Sequence, residues 1–539
     1  MKGIKKIISL IVVATMVLSL AACGKKEETT TEETVTDTSA ATDTEEDATE
    51  PEAVTIDTSE QVDLVFYVMG DAPKDELVVE EAVNKILLEK VNATVDFQFS
   101  TWTDWSQKYS LELTSGAADM IYIANWINYA TLANSGAFLE LDELLPTYAP
   151  EIAANVDASL LDQCRVGGSL YAIPATWAEY TSNGIKYRED LRVKYDLPIP
   201  NTLENLEAYL TGIQANEPEQ GLLTVTAEES TGLQVAFDAA NVFNMKYDWV
   251  TNNAMPYGLA ANYNTPSEVY DYWYSEDFVN DMKLMKKWAD LGFWSRSALS
   301  DTNDSESYVN GLCVAEVAGQ NPNKQITAVA KFEEDHTEWK STFIAYGEIT
   351  GSLYPGHATQ NGTAVLRDSK NPERALMVLN LLLSDQSLNN LVQAGISGTH
   401  YELDAEGNYA KLDGTENFPY EGFNTWNLRA EEYKIPQTTD LLLNEMFDRY
   451  EAIANQTTYP KVNIYAGFSE NYEDYTTERN AVSDVMRQYL APIQAGLVED
   501  VDASIAEFLE KAEAAGLTTC KDAFKEQWAA YCEEYGYNK

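Results

Sequence analysis

The sequence predicts an α/β fold that ends in a mostly helical region. In the first part of the chain, short runs of apolar residues alternate with segments whose apolar residues recur every three or four positions, the patterns of strands and of helices. After Pro372 the periodic segments are mostly helical. The folded part begins near Val62 and comprises about 480 residues, which is enough for two lobes with substantial cores.

The first predicted strand is Val62–Met69, an apolar run that ends at Gly70-Asp71-Ala72-Pro73. A helix with one buried face follows it, and then an alternating strand from Thr94 to Ser100. A helix-like stretch from Asp104 to Ser115 precedes a third strand, Met120–Ile123. Strands and helices that alternate at this spacing predict a largely parallel sheet.

Three residues directly follow these predicted strands. Asp71 comes after the first strand, and Asn125 and Trp126 come after the third. Ligands of parallel sheets bind beyond the carboxyl ends of the strands, so we expect these side chains at the edge of a binding site.

The middle of the chain carries further α/β signals up to about residue 350. A strand-like segment, Ser169–Pro174, leads into Ala175–Tyr180. Asn371 and Pro372 are typical of a helix start, because Asn caps helices and Pro is favoured at their first position. Three more helix patterns close the chain, near residues 439–454, 478–491 and 500–515.

The N-terminus predicts export. Three lysines precede an apolar run, Ile7–Leu20, and two alanines then precede Cys23, which is typical of a signal peptide over residues 1–22. The run is shorter than the about 20 apolar residues that a membrane-spanning helix needs. The ending resembles the lipobox of bacterial lipoproteins, which implies that Cys23 is lipidated and begins the mature chain. The alternative is a signal peptide that happens to end near a cysteine.

Residues 23–60 predict a disordered acidic tether. From residue 25 to residue 60 the chain has no aromatic residue and consists mainly of Thr, Glu and Asp. Such a segment buries too little apolar surface to offset the entropy of ordering. A coil of this length spans roughly 35 Å, so we expect it to hold the folded part off the membrane.

The formal net charge is −51, and removal of the three lysines of the signal peptide gives about −54. A surface this acidic repels phosphate backbones and anionic headgroups. The charge therefore argues against binding to nucleic acid and against peripheral membrane docking.

The remaining cysteines show no C-x-x-C pair, and we expect buried free thiols at Cys164, Cys313, Cys520 and Cys532. A disulfide between Cys520 and Cys532 stays open if a helix break separates them, because on one continuous helix they would lie about 18 Å apart. The histidines (His336, His357, His400) have no metal-ligand spacing. Neither a metal nor a cofactor is expected.

Three stretches, in this order, resemble the extracellular solute-binding proteins of ABC importers. Residues 113–122 are similar to the strand at the cleft edge, 134–142 to a turn, and 166–174 to the strand that enters the hinge, although Gly168-Ser169 replaces the usual Gly-Lys. Further segments resemble the LipO-like branch of large lipoproteins, and extend the similarity to roughly residues 62–535: residues 188–195, 395–401 and 466–468.

The resemblance implies the two-lobe, periplasmic-binding-protein-like fold, in which hinge crossings join the lobes and a ligand binds between them. Lobe one would comprise residues 61–174 plus 360–415, and lobe two residues 180–350 plus 420–539, with hinge crossings at 174–180 and 351–360. Family members bind without chemistry, so no enzymatic activity is implied. The implied partner is an ABC transporter permease, and the mature protein would be a monomer anchored through Cys23 at the extracellular face of the cytoplasmic membrane.

A carbohydrate or oligosaccharide is the expected ligand. A sugar presents hydroxyl groups and flat C–H faces, so its site needs aromatic rings and planar amides or carboxylates. The candidates lie beyond the predicted strands or in the crossings: Trp126, Trp177 and Trp426 among the aromatic residues, Asp71, Asn125, Glu179 and Gln320 among the polar ones, and Tyr354 and His357 in the second crossing. For each, packing, capping or hinge geometry is the alternative role.

Two other functions stay open from the sequence alone. A surface-anchored glycosidase needs only two carboxylates about 5 Å apart. No G-x-S-x-G, H-E-x-x-H or P-loop motif is present, which is mild evidence against an enzyme. A ligand-binding lipoprotein that serves a sensor kinase would share these sequence features, and a peptide could replace the sugar as the ligand.

Overall fold

A computed structural model describes most of the folded part of the chain. The described residues are 56–101, 104–177, 179–181, 184–225, 255–261, 265–300, 304–318, 322–351, 354–437, 440–456 and 464–537. The predicted signal peptide, Cys23, most of the predicted tether and Gln320 lie outside them.

Two sheets organise the described chain. Their strands are β1 (Val62–Met69), β2 (Ala93–Ser100), β3 (Met120–Ile123), β4 (Ile173–Pro174), β5 (Gly184–Arg188), β6 (Gly221–Thr224), β7 (Cys313–Ala318), β8 (Ser341–Ala345) and β9 (Gly362–Val365). The first sheet has the order β2-β1-β3-β9-β4, and the second has the order β8-β5-β7-β6. Four short strand pairs lie outside the sheets: Arg165–Val166 with Ser169–Leu170, Tyr180–Thr181 with Tyr354–Pro355, Leu259–Ala260 with Tyr270–Asp271, and Tyr401–Leu403 with Tyr409–Lys411.

Helices cover both sheets and form most of the C-terminal region. In the first half of the chain they are Glu76–Val91, Trp105–Ser115, Tyr129–Asn134, Leu145–Tyr148, Pro150–Asn155, Ala158–Gln163, Glu189–Lys194 and Leu203–Asn216. Later come Glu276–Asp290, Asp304–Val309, Pro322–Asp335, Tyr346–Thr350, Pro372–Ser384, Gln386–Ala394, Asp440–Gln456, Thr476–Val485, Ala491–Gln494, Val501–Ala514 and Leu517–Glu534.

The first sheet carries the first core. Strands β1, β2 and β3 are parallel, as their spacing with helices predicts. Strand β9 is antiparallel to both β3 and β4. It enters the sheet only after the chain has passed through the second core, so its direction could not be read from the βαβ pattern.

The second sheet carries the second core. Strand β5 lies antiparallel to β7 and β8, and β7 is parallel to β6. Apolar residues of Leu203–Asn216, Glu276–Asp290 and the two last helices pack in this core. Trp288 and Trp528 are among its largest fully buried side chains.

The chain passes from the first core to the second later than the boundary predicted between residues 415 and 420. Phe418 and Phe423 pack in the first core, where their rings lie 4.9 Å apart and Phe423 stacks on Phe97 at 4.8 Å. Leu428 and Ala430 belong to the same core. These aromatic contacts hold the segment on the first core, so the third passage lies between Ala430 and the helix Asp440–Gln456.

The C-terminal helices differ from the sequence prediction in one respect. Asp440–Gln456, Thr476–Val485 and Val501–Ala514 match the predicted patterns, with a π-helical turn, Met486–Leu490, after the second. A further helix, Leu517–Glu534, carries Cys520 and Cys532 without a break. Both thiols are buried and outside any disulfide, as are those of Cys164 and Cys313, so the prediction of buried thiols without disulfides is confirmed for the described cysteines.

Candidate ligand-binding site

A cavity of about 430 Å³ lies at the carboxyl end of β1. The chain turns there at Gly70, whose φ of +97° is accessible mainly to glycine. Asp71 is exposed, and its carbonyl oxygen accepts a hydrogen bond of 2.9 Å from Nδ2 of Asn424. The cavity is lined by Asp71–Lys74 and by a second segment that includes Tyr420, Glu421 and Trp426. The structure therefore brings together Asp71 and Trp426, which are 355 positions apart in the sequence.

An aromatic surface continues from this cavity to the end of β3. Trp126 lies in a short 3-10 helix, Asn125–Ile127, and its side chain is 42% exposed. Its ring lies 5.7 Å from that of Trp105 and 6.2 Å from that of Tyr122. Tyr122 also contacts Trp426, with 6.3 Å between the ring centroids. Trp126 and Trp426 are thus joined through one buried tyrosine.

The hydroxyl group of Tyr122 connects this surface to the crossings. It donates a hydrogen bond of 2.6 Å to Oδ1 of Asn361. Burial, with a further contribution from the charge of Glu179, raises the pKa of Tyr122 well above its usual value. The phenol therefore stays protonated and remains a donor.

A second cavity, of about 240 Å³, lies where the crossings meet. Among its lining residues are Trp177 and Glu179 from the first crossing, His357 from the second, and Arg429. The backbone joins these segments: the Gly356 N–H donates to the carbonyl of Glu179 at 2.7 Å. Three predicted site residues therefore meet at one place.

Arg429 lies between two carboxylates. Its Nε and Nη2 donate to the two carboxylate oxygens of Glu421 at 2.5 and 3.0 Å, and its Nη1 donates to Glu179. Burial disfavours the charge of the guanidinium, but Glu421 and Glu179 outweigh it, so the pKa of Arg429 is raised above its usual value. Because Glu421 lines the first cavity and Glu179 the second, this cluster separates the two cavities.

Trp177 packs against cations. The guanidinium carbon of Arg429 and Nζ of Lys434 each lie 4.9 Å from the centre of its ring, and Tyr420 stacks on it at 6.5 Å. The indole Nε1 of Trp177 is buried and has no hydrogen-bond partner within the described protein. Trp177 lines the second cavity, but this nitrogen itself is not exposed to solvent there.

His357 is buried in the second crossing. Its Nδ1 lies 2.7 Å from Oγ1 of Thr359 and accepts from the Thr359 N–H at 3.3 Å. Burial lowers the pKa of His357 to about 4, so the imidazole is neutral at neutral pH. The backbone of Tyr354 pairs with Thr181, whereas its side chain lies outside the described part.

Sequence reasoning missed the partners that connect the predicted residues. Tyr122 lies in a strand whose apolar sequence predicts packing in the core, and no local motif marks Asn361, Glu421 or Arg429. The one available signal is that arginine is scarce in this acidic chain and Arg429 lies between the apolar residues Leu428 and Ala430. The binding role of each predicted site residue stays a prediction.

A model of the bacterial extracellular solute-binding protein family matches residues 71–388. The chain belongs to this family. Residues 464–533 of this solute-binding protein match a second family, described as a domain of unknown function, DUF3502. Within the described chain, no helix combines the length and hydropathy that crossing a membrane requires.

Known relatives cover most of the chain. A carbohydrate ABC transporter substrate-binding protein of Streptococcus pneumoniae is 26% identical over 476 residues, which are 85% of this chain and 89% of the relative. The N-glycan transport solute binding protein NgtS of S. pneumoniae superimposes with a TM-score of 0.66 at 20% identity, covering 88% of this chain and 99% of that one. FusA of S. pneumoniae in complex with kestose superimposes with a TM-score of 0.58 at 14% identity, covering 88% of this chain and 100% of that one.

These similarities confirm two predictions. The chain is a solute-binding protein of the family that serves ABC importers, and it has the two-lobe α/β fold with a helical C-terminal region. The first sheet and core are called the first lobe below, and the second sheet and core the second lobe.

Proposed function

We propose that this solute-binding protein captures an oligosaccharide between its lobes and delivers it to an ABC transporter permease. The observation that carries the proposal is the pair of partly exposed rings of Trp126 and Trp426, which the buried Tyr122 joins beside the cavity at Asp71. Aromatic rings stack on the C–H faces of sugars, and the carboxylates and amides around the cavities suit hydroxyl groups. The relatives support this ligand class, since one is named for carbohydrate transport and NgtS has been solved with Man1GlcNAc.

Binding without chemistry is part of the proposal. A glycosidase needs one carboxyl group that can protonate the leaving group. Glu179 and Glu421 both accept hydrogen bonds from Arg429. The two carboxylates that lie between the cavities are thus engaged by a cation of the protein itself, which supports binding without chemistry.

The proposed location is the extracellular face of the cytoplasmic membrane. The signal peptide over residues 1–22 directs export, and lipidation of Cys23 anchors the mature monomer through its acidic tether. Replacement of Cys23 by serine should release the protein from the membrane fraction and abolish labelling by a clickable fatty acid. Unchanged labelling of the serine variant would exclude Cys23 as the lipidation site.

The decisive experiment is a thermal-shift screen of the mature chain against neutral oligosaccharides, host-type glycans and short peptides, followed by calorimetry. A ligand present at a hundred times its dissociation constant adds about 2.7 kcal/mol of stability. We expect a saccharide to bind and to be recovered intact. Recovery of cleaved saccharide would identify an enzyme, and binding of peptides alone would contradict the carbohydrate assignment.

Two single substitutions test whether binding depends on an aromatic residue of the proposed site or on exposed aromatic residues in general. Trp126→Ala should weaken saccharide binding at least tenfold, since stacking on an aromatic ring contributes about 1 kcal/mol or more beyond the buried area. Tyr535 is exposed to a similar extent, 45%, but lies on the C-terminal part of the second lobe. Tyr535→Ala should leave the affinity unchanged.

A further inference from the structure

Acidic side chains outnumber basic ones among the charged residues that line the two cavities in the described chain. Four lining residues are carboxylates and two are cations: Asp71, Glu179, Glu416 and Glu421 against Lys74 and Arg429. His357 adds no charge at neutral pH, because burial lowers its pKa to about 4. A negatively charged ligand would therefore depend on the two cations.

Arg429 is already engaged by two carboxylates of the protein. Arginine recognises a carboxylate through two parallel N–H donors in the plane of the guanidinium. The edge formed by Nε and Nη2 is occupied by Glu421, and Nη1 donates to Glu179. The ring of Trp177 lies over the guanidinium at 4.9 Å. Three of the N–H donors and one face of the guanidinium are thus engaged within the protein.

The remaining cations are poorly placed to replace it. Lys74 is exposed, so water and salt screen its charge. Nζ of Lys434 lies over the ring of Trp177 and is not part of either cavity lining. Neither ammonium group forms a desolvated site for an anion.

We infer that this site takes uncharged saccharides and rejects those that carry carboxylates, such as uronic or sialic acids, and that Glu179 and Glu421 determine this selectivity by occupying Arg429. The inference rests on the proposed function and narrows its ligand class. A ligand carboxylate beside these two glutamates meets like charge in a partly desolvated place, which costs affinity. Uncharged hydroxyl groups can donate to the carboxylate oxygens without this cost.

The first test compares matched probes on the wild-type protein. The probes are maltotriose, cellotriose and mannotriose, each with the form in which C6 is oxidised to a carboxylate. For every neutral probe that binds, the oxidised form should bind at least tenfold more weakly. The ratio of the two dissociation constants should decrease towards one as salt is added. An oxidised form that binds as tightly as its neutral parent would overturn the inference and leave carbohydrate capture intact. Binding of none of the six probes, together with a negative glycan screen, would count against carbohydrate capture itself.

The second test assigns the selectivity to Arg429. Glu421→Gln removes the carboxylate that occupies the Nε and Nη2 edge, and should improve binding of the oxidised probe relative to its neutral parent by about tenfold, the value of a charge-assisted hydrogen bond. Glu416→Gln makes the same change in net charge in the same cavity without releasing Arg429, and should change that ratio far less. Equal changes in both variants would show that net charge, not Arg429, sets the selectivity. Should Glu421→Gln fold poorly, Glu179→Gln provides the same test from the other carboxylate.

Discussion

Thr131 and Ser469 join the two lobes through their hydroxyl groups, which lie 2.5 Å apart. Thr131 belongs to the helix that follows Trp126 in the first lobe. Ser469 follows a 3-10 turn, Ile464–Gly467, at the start of the region that matches DUF3502. The pair therefore reports directly on the distance between the lobes.

The segment around Ser469 is held firmly on the second lobe. The carboxylate of Glu470 accepts hydrogen bonds from the hydroxyl groups of Tyr257 and Tyr475 at 2.6 and 2.8 Å. The ring of Phe468 packs on those of Phe524 and Trp528 at 5.3 and 5.2 Å. Movement of Ser469 away from Thr131 therefore requires movement of the whole lobe.

A cysteine pair at these positions should form a disulfide. When Thr131→Cys and Ser469→Cys are combined, mild oxidation should link the two positions, since their side chains touch and the native cysteines of the described chain are buried. Mass spectrometry of non-reduced peptides measures the link. Pairing Thr131→Cys with Ser504→Cys, on a helix of the second lobe, provides the control. Equal yields in both pairs would contradict a specific contact between the lobes.

Gly70 should not tolerate a side chain. A Cβ atom there would lie 2.8 Å from Nδ2 of Asn424, the group that donates to Asp71. With the cost of a positive φ, Gly70→Ala should lower the free energy of unfolding by about 2 to 3 kcal/mol. Gly116→Ala is the control, because Gly116 also has a positive φ but a Cβ would meet nothing within 4 Å. Gly116→Ala should lower the free energy of unfolding by about 1 kcal/mol, as measured by denaturant titration. Equal decreases in the two variants would mean that Asn424 moves aside freely.

His357 should make the stability depend on pH between about 6.5 and 4. The unfolded chain binds a proton at this histidine near pH 6.5, whereas the folded chain does so only near pH 4, because the imidazole is buried. The free energy of unfolding therefore falls as the pH decreases through this range, by about 3 kcal/mol from this group. In His357→Asn, an amide oxygen replaces Nδ1 as the acceptor and the group no longer titrates. The stability difference between wild type and variant should shrink by that amount from pH 7 to pH 4, and a constant difference would contradict the burial.

The four described thiols should be unreactive in the folded protein. Burial raises the pKa of Cys520 and of Cys532 to about 11, so few thiolates exist at pH 8. In a Cys23→Ser chain, a thiol reagent at pH 8 should label no cysteine before denaturation and four afterwards. Rapid labelling of Cys520 or Cys532 in the native protein would show that the helix Leu517–Glu534 opens readily.

The sequence predicts the elements of this protein better than their long-range pairing. The first strand follows from an apolar run that ends at Gly70, the second from alternation and the third from a short apolar run, and Asp71 and Trp126 follow from the rule for parallel sheets. That Asp71 shares a cavity with Trp426 depends on the late segment that Phe423 holds on the first lobe. No local pattern encodes such a contact.

The ion pairs of Arg429 with Glu179 and Glu421 are the part of the candidate site that could not be predicted from the sequence. Glu179 was expected as a ligand contact from its place in the crossing, but its hydrogen bond from Arg429 could not be foreseen across 250 positions. The place after Ala430 where the chain passes to the second lobe could not be predicted either. The short turns in this region have no periodic pattern of apolar residues.

The order of the strands along the chain has a consequence for the order in which the two lobes can fold during synthesis. The first sheet needs β9, yet the strands β5 to β8 of the second sheet emerge before it. The second core in turn needs Phe524 and Trp528, which come much later in the chain than β9. Until these later segments have been synthesised, apolar strands of both lobes remain exposed. Contacts between segments so far apart in the sequence also form slowly.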